Sequence, residues 1–134
     1  MCIFCKIISG EIPASKIYED EFVLAFLDIS QITKGHTLIV PKKHCENIYC
    51  LSDDCASKLL VVSKKIATAL KHTFNLEGLN LVNNNESLSG QTVNHFHIHL
   101  IPRYVGDEFK LEFKQNPPDF NQLKQTQEEI LKHL

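Results

Sequence analysis

Three histidines, His95, His97 and His99, alternate with Phe96, Ile98 and Leu100 before Ile101 and Pro102. Near pH 7 a neutral imidazole is a nucleophile, a proton carrier and a metal ligand. A strand places alternate side chains on one face, about 6.5–7 Å apart. The spacing therefore predicts a strand over 95–101 with three imidazoles on one face and three apolar groups on the other. A helix would scatter the imidazoles around more than half its circumference, which serves neither a core nor a site. Three imidazoles crowded on a half-buried strand are costly when protonated, so the pattern points to chemistry or metal binding.

Other residues of this kind are dispersed. Cys2 and Cys5 are three apart and share a face of a helical turn. A single Cys-x-x-Cys is a weak metal signal. His36 opens the apolar run Gly35 to Pro41, on the same face as Leu38 and Val40. A lone histidine on such a face is more often a satisfied core group than a catalyst. The polar stretch Asn83 to Gln91, with its glycine, offers backbone N–H groups and hydroxyls to an anion.

The elements that must position these groups are legible in outline. Residues 2–9 predict one or two helical turns stopped at Gly10. Lys16 to Glu19 and Phe22 to Leu27 read as strands joined by a turn at Glu19-Asp20-Glu21, and Gly35 to Pro41 as a third strand. Ser52 or Asp53 caps a long helix whose Leu59, Val62, Ile66, Leu70 and Phe74 recur at helical spacing. Gly78 to Asn83 is a further strand, paired as a hairpin with the histidine strand. After the breaks at Gly106 and Asn116-Pro117-Pro118, residues 119–134 predict a polar helix with Phe120, Leu123, Ile130 and Leu131 as its apolar contacts. It is expected to dock on the core or on a second subunit.

A chain of 134 residues holds one domain with a sizeable core. With 43% hydrophobic and 22% charged residues and a formal net charge of −2, it has no electrostatic case for nucleic-acid or membrane-surface binding. No apolar run approaches the ~20 residues of a membrane span, and the N-terminus lacks the features of a secretory signal. Five cysteines are an odd count, and Cys45, Cys50 and Cys55 fall at no ligand-like spacing. They are expected to be free thiols in a reducing cytoplasm.

The run at 95–101 closely resembles the signature of the histidine triad (HIT) nucleotide-binding proteins. Asp28-Ile29-Ser30, Gly35 through His44, Asn84, and Gly90-Gln91-Thr92-Val93 stand where that family places related segments. The opening Cys-Ile-Phe-Cys is similar to the bacterial-type Hit branch, close to the Hint proteins. The resemblance covers about residues 2–105, taken as the HIT domain, with 106–134 as a C-terminal extension of the same unit. It implies an α+β fold: an antiparallel sheet of about five strands, one long helix, a short N-terminal helix and a C-terminal helix, in a homodimer.

The same resemblance implies a purine nucleotide or nucleotide conjugate as substrate, cleaved at the α-phosphate. His97 would be the nucleophile, His99 its phosphate-side assistant and His36 the group that steers them. Asp28 would bind the ribose, Ile29 the base, and Asn84, Gly90, Gln91 and Thr92 the phosphate, with Thr92 where the family often has serine. Cys2, Cys5, His44 and His95 would hold a structural zinc, with no cofactor needed for catalysis. Glu86 departs from the pattern, standing where relatives often carry glycine. The expected activity is that of a nucleoside phosphoramidase; dinucleoside polyphosphate hydrolysis and a nucleotide- or partner-binding module are the alternatives.

Overall fold

The computed structural model describes residues 2–134. Its sheet is fully antiparallel, with β1 (Lys16–Glu19), β2 (Val23–Leu27), β3 (Thr37–Pro41), β4 (Gly78–Val82) and β5 (Ile98–Arg103) in the order β1-β2-β3-β5-β4. Helix α1 (Ile3–Ser9) lies on one face, α2 (Asp53–Phe74) on the other, and α3 (Phe120–Leu131) closes the chain. The expected α+β fold is what the chain adopts.

Each element begins or ends for a local reason. Gly10 terminates α1 in the left-handed region at φ 86°, open to glycine without a Cβ clash. The β1–β2 turn is closed by the Asp20 carboxylate, which accepts from the N–H groups of Phe22 and Val23 and from the Tyr18 hydroxyl. Ser52 caps α2 by accepting from Cys55 N–H, and Asp53 and Asp54 follow in its first turn, where the helix dipole favours negative charge.

Strand alternation divides the core in two. Val23, Ala25, Ile39, Phe96, Ile98 and Leu100 pack under Leu59, Val62, Ile66 and Leu70 of α2. Leu24, Phe26, Leu38 and Val40 face the other way, against Phe4 and Ile7 of α1. The α2 side holds eleven buried apolar residues and the α1 side six. At roughly 1.5–3 kcal/mol for each large side chain withdrawn from water, the α2 face dominates stability.

Two expectations need correction and a third is narrowed. The histidine strand was expected to begin at His95, but β5 begins at Ile98. Continuing the β3–β5 register would set Phe96 opposite Pro41, which has no N–H for the ladder. Phe96 N–H turns instead to the Cys45 carbonyl, 2.6 Å away. Residues 95–97 nevertheless keep the alternation, with Phe96 in the α2-side core.

Cys45 and Cys50, expected as free thiols, are joined by a disulfide, and Cys55 alone of the three is free. Asn47 caps the single turn at Ile48–Cys50, which bends the chain until the two Cα atoms are 5.8 Å apart. That separation lies within the usual disulfide range. Finally, α3 is exposed along its length, with Phe120, Leu123, Ile130 and Leu131 all open to solvent. It does not dock on its own core.

Candidate active site and metal cluster

On the α1 face of the sheet the histidines form a chain of contacts whose proton positions follow from their partners. His97 is buried, and its Nδ1 lies 2.7 Å from the carbonyl oxygen of His95. A carbonyl only accepts, so Nδ1 carries the proton and Nε2 keeps its lone pair. Ile32 N–H donates to His36 Nδ1, leaving His36 Nε2–H to donate to His99 Nδ1 at 2.9 Å. The neutral His99 ring then has its own proton on Nε2. The rings of His97 and His99 stand 4.9 Å apart, centre to centre.

Electrostatics keep these rings neutral. Burial pushes the His97 titration down, opposed by its hydrogen bond to His95 and by the charge of Asp28. Burial lowers His36 too, against the pull of the Asp28 carboxylate 3.8 Å away. His99 is lowered to about 4, first by burial and then by the neighbouring His97 and His36. At neutral pH the arrangement therefore offers an unprotonated nitrogen beside a neutral N–H donor, fit for nucleophilic attack with proton transfer.

His97 and His99 line a cleft of about 240 Å³, together with Asp28, Ile29, Thr92 and Val93 and the apolar side chains of Ile3, Phe4 and Ile7. Asp28 is held by Ser30 N–H on Oδ1, and Ile29 is 98% exposed at the rim. Cleft, carboxylate and rings are all brought together by β2, β3, β5 and α1.

The loop after β4 is placed differently. Gln91 is buried, and its amide is committed to the protein: Oε1 accepts from Glu86 N–H, and Nε2 donates to the carbonyls of Glu46 and Val93. Asn84 lies beside Gly90, and neither lines the cleft. Glu86 adopts φ 69° and ψ 163°, a region nearly reserved for glycine. Its carbonyl receives the N–H groups of Ser89 and Gln91 and the Ser89 hydroxyl, which hold it there.

Behind the cleft, Cys2 Sγ, Cys5 Sγ, His44 Nδ1 and His95 Nδ1 converge, with all six mutual distances between 3.2 and 3.7 Å. Tetrahedral zinc with bonds of about 2.0–2.3 Å requires ligand separations of about 3.3–3.8 Å. His95 Nε2–H donates to the Pro41 carbonyl at 2.8 Å, so Nδ1 presents a lone pair to the centre. Four soft or imidazole donors converging in this way fit a zinc ion. Cys2 also caps α1, its sulfur accepting from Cys5 N–H.

Two residues near the histidines had not been singled out from sequence. Phe4 sets its ring edge-on against both His95 and His97, at 5.9 and 5.2 Å between centroids. Asn83 donates through Nδ2 to the His97 carbonyl at 3.0 Å. The hairpin of β4 with the histidine strand was the only available pointer to Asn83; nothing in the spacing pointed to Phe4.

A HIT-domain profile matches residues 9–106. The chain is 53% identical over 120 residues to Protein hit of Bacillus subtilis, covering 89% of this chain and 83% of the relative. It is 44% identical over 106 residues to an adenosine 5'-monophosphoramidase of Candida albicans, covering 76% and 70%. The crystal structure of a HIT family member from B. subtilis superposes with a TM-score of 0.96 at 48% identity, covering 99% of this chain and 96% of the other. A Zn-bound histidine triad family protein from Mycobacterium smegmatis gives 0.76 at 38% identity, covering 87% and 84%.

Proposed function

The chain belongs to the histidine triad (HIT) family, and on that premise we propose that it hydrolyses or transfers purine nucleotides at the α-phosphate, as an adenosine 5'-phosphoramidase-like enzyme. The observation that carries this reading is the His97 ring, its Nδ1–H tied to a carbonyl and its Nε2 lone pair free beside His99 at the cleft. Relatives named adenosine 5'-monophosphoramidases, from Candida albicans and two other yeasts, support the substrate class.

In this reaction His97 Nε2 attacks the α-phosphorus as the P–N bond to the leaving amine breaks. The leaving amine takes its proton from water, with His99 Nε2–H hydrogen-bonded at the phosphate side, and His36 holds His99 in the required tautomer. Water then displaces the nucleotidyl group from His97. Asp28 accepts from the ribose hydroxyls, and Ile29 with the apolar wall from α1 receives the base. Thr92 offers its hydroxyl to the phosphate, with the Asn84 and Gly90 segment beside it, while Gln91 shapes the loop from within. Cys2, Cys5, His44 and His95 hold a structural zinc that takes no part in the chemistry.

In the same reading residues 1–105 form the catalytic unit, 106–134 extend it, and the protein works as a cytoplasmic homodimer. Among the described residues no helix is long and apolar enough to cross a membrane.

The test is turnover of adenosine 5'-phosphoramidate and of an AMP–lysine conjugate. His97→Ala should lower kcat by at least about 10³-fold while AMP binding by calorimetry and the thermal transition persist. Full activity in that variant would sink the proposal. Higher kcat/KM on dinucleoside polyphosphates would reassign the substrate, and AMP binding without turnover of either class would make the protein a binding module.

A further inference from the structure

The loop from His44 to Cys50 reaches the metal cluster through a side chain and Phe96, Gln91 and Asn85 through its main chain. His44 gives one nitrogen to the metal cluster. The Cys45 carbonyl receives Phe96 N–H, between His95 and His97, at 2.6 Å. The Glu46 carbonyl receives Gln91 Nε2 at 2.6 Å. Ile48 N–H donates to Asn85 Oδ1 at 2.7 Å, Asn85 Nδ2 donates to Asn83 Oδ1, and Asn83 Nδ2 donates to the His97 carbonyl at 3.0 Å. A relay of amides thus runs from the loop to the main chain of His97, and the disulfide joins the two ends of the segment from which it starts.

We propose that Cys45–Cys50 is a reversible thiol–disulfide exchange site for low-molecular-weight thiols, and that its state sets how firmly this loop holds His97. Cys50 is exposed and Cys45 half-buried, so an incoming thiolate meets the Cys50 sulfur first. The new S–S bond forms at Cys50 as the protein disulfide breaks and Cys45 leaves as a thiolate, which takes a proton. A second thiol attacks the small-molecule sulfur, freeing Cys50 and leaving a symmetrical small disulfide. The protein gains two electrons and two protons; the small disulfide run backwards reoxidises it. Cys2 and Cys5 stand together in the separate Cys and His cluster and would be shielded there by a bound metal, and Cys55 is a free thiol outside the pair. The closed loop fixes the Cys45 carbonyl and Ile48 N–H at once. When it opens, both anchors of the relay are released together.

The thiol chemistry stands apart from the proposed function; only its effect on turnover rests on that reading. The full-length, zinc-supplemented protein is equilibrated in glutathione buffers from fully reduced to fully oxidised. It is then quenched, alkylated and mapped by peptide mass spectrometry, with amide hydrogen exchange read on the same samples. Cys45 and Cys50 should pass together through one two-electron transition while Cys2, Cys5 and Cys55 hold constant. Exchange at Ile48 and Phe96 should be about tenfold faster or more in the reduced form, because local opening is read directly by these amides. Cys50→Ser should show the reduced pattern in every buffer. On reduction kcat for adenosine 5'-phosphoramidate should fall by a few-fold with KM little changed, as loss of positioning at a reacting group predicts.

A pair that stays alkylatable, or stays bonded, across all buffers overturns the exchange site. Equal exchange rates in the two forms overturn its link to His97. A clear transition and a clear exchange difference in a protein without nucleotide turnover would uphold the redox site and reject the enzymatic reading instead.

Discussion

Glu86 holds a backbone conformation that a side chain makes costly, by about 1–3 kcal/mol. Glycine there would recover the strain but lose about 0.5–1 kcal/mol to the greater entropy of the unfolded chain. Glu86→Gly is therefore expected to stabilise the protein by about 1 kcal/mol, read as a rise in the urea midpoint; a lower midpoint would mean the carboxylate has a partner in solution. His99 gives a second prediction. Its folded titration lies near 4 against an ordinary value of 6.5. Above pH 6.5 neither state is protonated there. Between 6.5 and 4 the unfolded chain takes a proton that the folded one refuses, so stability falls as pH falls through that window. The urea midpoint should drop from pH 7 to pH 5, and drop less in His99→Asn; identical drops would show that His99 does not contribute. At this scale the alternation at 95–99 was enough to expect one face of imidazoles. The tautomers were not readable, because each depends on a carbonyl or N–H brought in from Pro41, Ile32 or His95 by the fold.

Gly35 shows what the elements require of a single residue. At φ 91° it precedes His36, and a Cβ there would come within 2.9 Å of Phe74 Cε2 and 3.2 Å of Pro102 Cγ. Gly35→Ala should cost about 2 kcal/mol or more from strain and overpacking together, measured by denaturant unfolding; a loss under half that would show that α2 simply shifts away. The N-terminal turn makes a similar point about the metal. If the proposed zinc is bound, Cys2→Ser should remove it, as read by elemental analysis, and lower the melting temperature by several degrees, since a structural zinc site contributes folding energy. Retained hydrolysis in that variant is expected if the metal is structural. Strand and helix boundaries were legible to within a few residues because turn chemistry at Asp20, Gly10 and Ser52 is local. The start of β5 was not, since it depends on which residue of β3 lies opposite. The Cys45–Cys50 bond was missed for the same reason: nothing in a five-residue spacing reveals that Asn47 turns the chain back.

On the scale of the whole molecule, the β4 edge of the sheet and one flank of α2 are uncovered. β4 is an edge strand with Leu81 47% exposed, and α2 carries Leu60 and Val61 at 61% and 67%. The homodimer expected from the family would extend the sheet across β4 and pair α2 with its copy. Leu81→Arg should then shift sedimentation from dimer to monomer, because an edge charge opposes strand pairing; an unchanged dimer would place the interface elsewhere. The opposite side of the sheet has its own consequence. There α1 buries Phe4 and Ile7 in the core and packs Ile8 at its margin, and the Cys and His cluster adds to that hold. A segment with so few buried contacts opens at far lower free energy than the globally protected α2. Strong chelators should accordingly speed amide exchange at residues 5–9 before any change in α2. Since the Phe4 ring is what shields His97 on that side, each such opening would admit water to the imidazole. Metal supply would thus govern how long the ring stays dry.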